Sequence, residues 1–477
     1  MRKKLIKWAA GASSMALIVS VFTACSGVND PDAATDGTAS AAASASSDVN
    51  GKQTLAVSTL TEDRFLKDAV DRFEKAHPDI DVQIRESVPM DTSDGKGTSK
   101  MRAGEEGPPA ADRDKYVNSV GTALLSGNAA DLISISYLPV DKYLATGMFA
   151  DWSPIVSQDT DFNMGDYYVH VLQGITDADK GWYAIPIDYT LNVLIGNKPA
   201  IDQAGGVDDK TWTWEQFIAL CQKIASTPNA DGTTPQALGG FKPEDVLVYL
   251  TTTVYDRLVT KQGSISSFDE AAFKGYLEQV KQLYDSGAAS SNLGNTSQVF
   301  SPMTMQMIQD LAILPKVVGG GDGEVLSPPG SGQDEGLPFD SDLAFALNDR
   351  SKVKPAAWEF IKFLLSEEIQ SSASMMAFPV NQVAAKTRMD DFSKELQSGG
   401  DKMMFQPANG PAQSLSITDD QMNTALALLP SVGKYERKDD KVIGMIKEET
   451  ASYFSGGKSS DAVAKAVANR VRTYLNE

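Results

Sequence analysis

The stretch from Thr54 to Ile84 constrains the fold more than any other part of the chain. Thr54 to Thr59 is a short apolar-rich run, which reads as a buried strand. Thr61 stands where a helix N-cap would. Phe65, Ala69, Val70, Phe73 and Ala76 then recur at helical spacing. Pro78 stops that helix, because it has no N–H to donate and its ring clashes with the preceding turn. Ile80, Val82 and Ile84 alternate with polar residues, the pattern of a strand. Strand, helix and strand in this order form the unit that builds a parallel sheet.

The same alternation continues along the chain after a long polar interruption. Pro89 to Asp114 is rich in Gly, Pro, Asp and Lys and reads as a surface loop or disordered segment, with a functional lid as the other reading. A helix is expected from Tyr116 to Leu125, ended by Gly127. Asp131 to Ser136 is the next expected strand, and Val140 to Thr146 a further helix closed by Gly147. Tyr189 to Gly196 reads as a strand. Thr213 and Gln216 have capping-box spacing, so a helix should open at Trp214. On its apolar face Cys221 is a small buried residue rather than a nucleophile. Gly319 to Gly336, dense in Gly and Pro, reads as poorly ordered. Leu343 to Leu347 is an expected strand, Pro355 opens a strong helix, and Ser460 is placed to cap the last one.

The N-terminus is of a different kind. Arg2, Lys3, Lys4 and Lys7 precede an apolar stretch, Trp8 to Ala24, interrupted by Gly11, Ser13 and Ser14. These are the parts of a secretory signal, and the interruptions make a poor membrane span. Small residues before Cys25 also fit a bacterial lipobox, in which the cysteine thiol takes a diacylglyceryl group after a cut at 24/25. An ordinary signal peptide, with Cys25 incidental, is the alternative. Residues 26–50 are mostly Ala, Ser, Thr, Gly and Asp without an aromatic residue. They cannot offset their ordering entropy and read as a disordered tether.

Length and charge exclude several classes. At 477 residues the chain calls for two lobes or domains. Its 43 basic and 63 acidic residues give a formal charge of −20, and loss of the signal would make the body four units more negative. Such a surface argues against nucleic acid as a partner. Cys25 and Cys221 are the only cysteines, so the body has no internal disulfide. His77 and His170 are the only histidines, which weakens a zinc enzyme or a Ser-His-Asp hydrolase. His77, at a helix end, has a structural role. No cofactor is expected.

Four stretches resemble the extracellular solute-binding proteins of ABC importers, in the maltose-binding-protein-like group (family 1). Asp68 to Val82 looks like that family's opening helix and second strand. Leu125-Ser-Gly-Asn-Ala-Ala-Asp-Leu-Ile, continued by Ala145-Thr-Gly-Met-Phe-Ala-Asp-Trp, is similar to its next strand entry. Trp182-Tyr-Ala-Ile-Pro is followed by Asn197-Lys198 and Thr211-Trp-Thr-Trp-Glu-Gln-Phe. Ala356-Ala-Trp-Glu-Phe-Ile-Lys-Phe-Leu-Leu-Ser-Glu-Glu leads to Phe378-Pro-Val-Asn. The order of these stretches, more than any one of them, carries the resemblance. It implies an α/β, two-lobed periplasmic-binding-protein-like fold (type II) with a ligand cleft between the lobes, which closes by a hinge. Residues 51–187 and 342–395 would form lobe 1, and 188–341 and 396–477 lobe 2. It also implies a monomeric, lipid-anchored protein on the outer face of the cell membrane. There it would pass a small solute, a carbohydrate or oligosaccharide, to ABC permease subunits. The family often has Tyr-Asn where this chain has Gly196-Asn197. It also often has a Trp that stacks on sugar where this chain reads Met303-Thr-Met-Gln-Met-Ile-Gln-Asp-Leu.

Binding residues are expected at strand ends, where α/β sheets present their ligands. The candidates are Thr61 and Glu62, Ser136 and Tyr137, Asp188 and Tyr189 at the crossing, and Gln309 and Asp310 near the missing Trp. Each has a plain structural reading as well. Thr61 can simply cap, Glu62 can favour the helix N-terminus, and the two tyrosines can pack. Trp212, Trp214 and Trp358 belong to the core. A cell-surface glycoside-acting enzyme or an adhesin remains the alternative, although no local motif singles out a catalytic carboxylate pair.

Overall fold

Leu55, Ala56 and Val57 are all buried in β1 (Gln53–Thr59), as in a parallel strand covered on both faces. The computed structural model describes residues 51–89, 108–175, 181–228, 232, 235–262, 265–292, 298–319, 321–330, 332–398, 404–405 and 413–476. The expected signal, Cys25, the tether and 90–107 lie outside the described residues. β1 pairs in parallel with β2 (Ile80–Glu86) along its whole length, and with β3 (Leu132–Ser134) on its other side. α1 (Arg64–Ala76) crosses between β1 and β2, burying Phe65, Leu66, Ala69, Val70 and Phe73.

The cap of α1 differs from expectation. Asp63, not Thr61, is the N-cap, and its carboxylate accepts from the Leu66 amide at 2.7 Å. The Thr61 hydroxyl instead donates to the Val88 carbonyl at 3.0 Å, so the helix is capped two residues later. A carboxylate also suits the positive end of the helix better than a hydroxyl. At the far end His77 stacks on Phe73 with centroids 4.4 Å apart, the structural role expected of it.

α2 (Ala110–Ser126) begins six residues before Tyr116, so residues 110–114 are helix and not loop. Its anchor is Tyr116, fully buried, whose hydroxyl donates to the Ser134 carbonyl at 2.5 Å. Gly127 ends it with φ +77°, a left-handed conformation that glycine adopts without cost.

β4 (Phe149–Ala150) and β5 (Ala184–Pro186) complete the first part of this sheet. The chain then moves through Ile187 into β6 (Asp188–Asn197), the central strand of a second sheet. β7 (Gln236–Gly239) follows. β8 (Val259–Gln262) and β9 (Ile265–Phe268) form a separate hairpin. β10 (Ala289–Ser290), β11 (Gln298–Met305), β12 (Gly323–Leu326) and β13 (Leu337–Asp340) rejoin the second sheet. β14 (Ala344–Asn348) returns to the first sheet and pairs antiparallel with β3, β4 and β5. β15 (Phe378–Pro379) pairs with β6, β16 (Met404–Phe405) with β17 (Gln413–Ser414), and β18 (Val432–Tyr435) with β13. The first sheet runs β2-β1-β3-β14-β4, with β5 also on β14. The second runs β10-β7-β11-β6-β13-β18, with β12 and β15 also on β6.

β6 joins two apolar cores through its alternating faces. Tyr189, Leu191, Val193 and Ile195 belong to the core that continues under the first sheet. Leu194 packs with Phe217, Leu247, Leu277, Ile446 and Val467, from the helices that cover the second sheet. Cys221, Trp212 and Trp214 are buried in that second core, and burial pushes the Cys221 thiol up. The Thr213–Gln216 capping box is present. Two expectations are corrected. β12 lies inside the stretch 319–336 and pairs with Leu194 to Asn197, because its backbone completes the edge of β6. Ser459 rather than Ser460 caps the last helix, since its hydroxyl accepts from the Ala462 amide at 3.3 Å; Ser460 bonds Glu278 instead.

Candidate functional site

The two crossings between the sheets are bound side by side. The Ile187 amide donates to the Leu343 carbonyl at 2.8 Å. Asp188 Oδ1 accepts from the Leu343 amide at 3.0 Å and from the Ser341 hydroxyl at 3.2 Å. Gln370, fully buried, donates its amide to the Ile187 and Leu364 carbonyls at 2.8 and 2.9 Å. Strand ends therefore meet here from both sheets, which is where an α/β fold presents ligand groups.

Acidic groups gather around these crossings. Burial, then Asp342 and Asp63, hold the Asp188 carboxyl well above the usual carboxylate range. Asp342 is raised by its enclosure and by Asp340, against the pull of Lys438. Asp63 is raised by enclosure too, although both Asp63 and Asp342 keep contact with water. From β13 and the turn after β18, Asp340 pairs with Lys438 at 2.6 Å. Burial opposes the Lys438 ammonium, but Asp340 and Glu436 outweigh it and hold its pKa above the ordinary value. Among the described residues, no three His, Cys, Asp or Glu side chains converge closely enough to hold a metal ion.

Tyr137 sits at the same place. It is the one non-glycine residue with positive φ among those described, at +67°, a conformation that costs energy and clusters at functional sites. Burial and Asp342 push its hydroxyl up, and the Arg113 guanidinium lies 5.7 Å from its ring centre. Arg113, on α2, pairs with Asp440 at 3.3 Å, and Asp114 pairs with Lys441. Lys142 and Lys441 each lie 5.6 Å from the Tyr474 ring. These contacts join helices of the first sheet to helices of the second. The Arg113–Asp440 pair is half-sheltered, so a double-mutant cycle with Arg113→Ala and Asp440→Asn should give a coupling of about 0.5–1 kcal/mol that shrinks at high salt. Zero coupling in low salt would show that the pair does not hold the lobes together.

The second sheet contributes a polar row. Thr304 of β11 donates to Asn192 Oδ1 at 2.7 Å, and Asn192 of β6 donates to Glu436 Oε2 at 2.5 Å. Thr304 is exposed and Glu436 is 4% exposed, so the row runs from solvent into the protein.

The expected residues divide by this geometry. Ser136, Tyr137 and Asp188 meet at the crossings, with Ser136 donating to the Asp342 carbonyl at 2.6 Å. Glu62 stands beside Glu86, and burial followed by that neighbour raises its carboxyl. Thr61 is spent on Val88. Tyr189 needs correction: it is fully buried, 5.1 Å from the Phe378 ring, because the alternation of β6 turns it into the core. Asp310 closes its own turn, accepting from the Gln306 and Met307 amides, and Gln309 reaches only Met307 Sδ at 3.4 Å. Neither has a hydrogen bond to the Asp188 group. Sequence reasoning missed Asp63, Asp340, Asp342, Asn192, Glu436 and Arg113. The strand-end rule, applied to the return crossing before Leu343, would have found Asp340 and Asp342. Nothing local marks Asn192 or Glu436.

The family profile described as bacterial extracellular solute-binding protein matches residues 58–371. The chain belongs to that family. It is therefore a solute-binding protein rather than an enzyme, and no helix among its described residues is long and apolar enough to cross a membrane. No curated protein matches the chain. Solved structures share the fold of this solute-binding protein at low identity. An extracellular solute-binding protein of family 1 from Alicyclobacillus acidocaldarius aligns at 16% identity over 90% of this chain and 100% of its own, with TM-score 0.55. The sugar-binding protein MalE from Xanthomonas citri aligns at 16% over 88% and 97%, with TM-score 0.56. A periplasmic oligogalacturonide-binding protein from Yersinia enterocolitica aligns at 15% over 88% and 98%, with TM-score 0.55. The α/β, two-lobed expectation agrees with these neighbours.

Proposed function

We propose that this solute-binding protein captures a polyhydroxylated solute, a carbohydrate or oligosaccharide, in the cleft beside its two sheet crossings and delivers it to an ABC permease. The carrying observation is the meeting of Ser136, Tyr137, Asp188 and Asp342 at strand ends around one wet, enclosed place. Carboxylates and hydroxyls there accept and donate to sugar hydroxyls. The sugar-binding and oligogalacturonide-binding neighbours support this solute class. Lobe 1 then comprises 51–187 and 342–395, and lobe 2 comprises 188–341 and 396–477, acting as a monomer. Lipid on Cys25 holds the body at the outer face of the membrane, and Cys25→Ser should release it; retention of a processed variant would refute the anchor.

Thermal-shift screening with oligosaccharides tests the solute class. A ligand that binds only the native state raises the melting temperature, by an amount that grows with its concentration over Kd. Small-angle scattering at saturation should show contraction as the lobes close. A protein that neither shifts nor contracts with any oligosaccharide is not a carbohydrate receptor.

A further inference from the structure

We infer that a charged latch between the two lobes holds them together before solute arrives, and that the ionic strength of the medium tunes solute affinity through it. The inference rests on the two-lobed binding reading above and deepens it. The latch is built from two consecutive residues on each side. Arg113 and Asp114 lie near the start of α2, and Asp440 and Lys441 open the helix Asp440–Phe454. Arg113 Nη1 meets Asp440 Oδ2 at 3.3 Å, and Lys441 Nζ meets Asp114 Oδ1 at 3.3 Å. A third contact stands beside them. Lys142, on the helix Val140–Ala145, lies 5.6 Å from the ring centre of Tyr474 on the last helix, Ser460–Asn476. The Tyr474 hydroxyl donates to Asp439 Oδ2 at 3.0 Å, which fixes that ring to its own lobe.

Three observations make this contact a latch rather than a permanent joint. First, the apolar faces of these helices point elsewhere. α2 buries Tyr116, Val120 and Leu124 in the core of the first sheet, whereas Val442, Ile446 and Val467 lie in the separate core of the second. Among the described residues, no backbone hydrogen bond joins α2 to either of the two last helices. The groups that do join them are partly exposed, 28% and 33% for Arg113 and Asp440, 54% and 55% for Lys441 and Asp114. Water can replace such pairs when the lobes part, and neither core is opened. Second, the order of charges selects one position. Plus then minus on α2 faces minus then plus on the other lobe. A displacement that brought Arg113 to Lys441, or Asp114 to Asp440, would set like charges together. Third, Arg113 also reaches the solute site. Its guanidinium lies 5.7 Å from the ring centre of Tyr137, a residue proposed above to meet the solute. Opening the lobes removes the Asp440 partner that holds the guanidinium over that ring. Closure and the solute site are linked in this way, and only contacts that differ between the open and closed forms shift the balance.

The experiment follows the distance between the lobes with no solute present. Spin labels go on one exposed position of each lobe, through Leu125→Cys and Ile265→Cys in a Cys25→Ser background; Cys221 is buried and stays unlabelled. The full chain should show one main distance at about 0.01 M salt. A second, open population should appear at about 1 M, where the screening length has fallen from about 30 Å to about 3 Å. Asp114→Lys sets a cation against Lys441 and should lower the closed-to-open ratio about fivefold or more at low salt. Adding Lys441→Asp restores opposite charges and should restore the ratio. A solute that binds only the closed form loses affinity by up to the same factor. An unchanged distance distribution both in Asp114→Lys and at high salt overturns the inference, and so does an opening that Lys441→Asp fails to reverse. Because no solute enters the measurement, its failure leaves the carbohydrate reading in place. If no oligosaccharide binds and the distance still answers to salt and to charge, the carbohydrate reading falls and the latch stands.

Discussion

Gln370→Ala lowers the unfolding free energy by about 3 kcal/mol or more, read as a shift of the denaturant midpoint. The side chain is fully buried and serves three backbone groups at once. Its amide donates to the Ile187 and Leu364 carbonyls, and its oxygen accepts from the Val380 amide at 2.8 Å. These groups lie at the crossing into β6, at the end of the helix Lys354–Leu364, and just after β15. A buried group that loses its partner costs about 1–3 kcal/mol, and three lose it together. Gln370→Met keeps most of the volume and should be nearly as damaging. If the Met variant loses less than about 1 kcal/mol, the hydrogen bonds are not what holds the crossing. The consequence for function is direct. Gln370 ties the crossing at Ile187 to the end of one helix and to the segment after β15, and if the crossings serve as the hinge of the proposed closure, this tie fixes where it can bend.

Asp188→Asn has the opposite effect on stability and a large one on pH dependence. In the folded protein the Asp188 carboxyl is held above its ordinary value by burial, Asp342 and Asp63, against help from the Leu343 amide and the Ser341 hydroxyl. The folded state therefore binds this proton more readily than the unfolded chain does. Its contribution is fully present below the unfolded value near 3.8 and is lost as pH rises through the folded value. At neutral pH, well above the unfolded value, the acid is therefore a net cost to the folded state, about 1.4 kcal/mol for each unit of displacement. Asparagine keeps the Oδ1 acceptor and removes the charge. The variant should melt higher than the parent at pH 7, with the gain shrinking toward zero near pH 4. A variant that melts lower at pH 7, or whose gain does not change with pH, would show that the charge at Asp188 is not destabilising. An acidic group kept at a net cost to stability fits the binding role proposed for Asp188, since functional sites are where such costs are tolerated.

The sequence by itself determined the α/β alternation, because parallel strands buried on both faces and amphipathic helices leave periodic marks in their own residues. Leu55 to Val57, the α1 stripe from Phe65 to Phe73 and the Thr213–Gln216 box are local facts, and they appear in the structure as read. The order of the four resembling stretches likewise pointed to the family. Tertiary structure alone decided which strand ends meet. Asp342 faces Asp188 across more than 150 residues because β14 returns to the first sheet. Asn192 reaches Glu436 because β6 and β18 flank β13 in the second. Tyr189 lies in the core and Asp188 turns to the return crossing at Ser341 and Leu343 through the two-residue period of one strand, and the sequence could not say which face would be covered. The N-cap followed the same logic. Thr61 and Asp63 are both good caps in isolation, and the choice fell to Asp63 once Val88, 27 residues away, had taken the threonine hydroxyl.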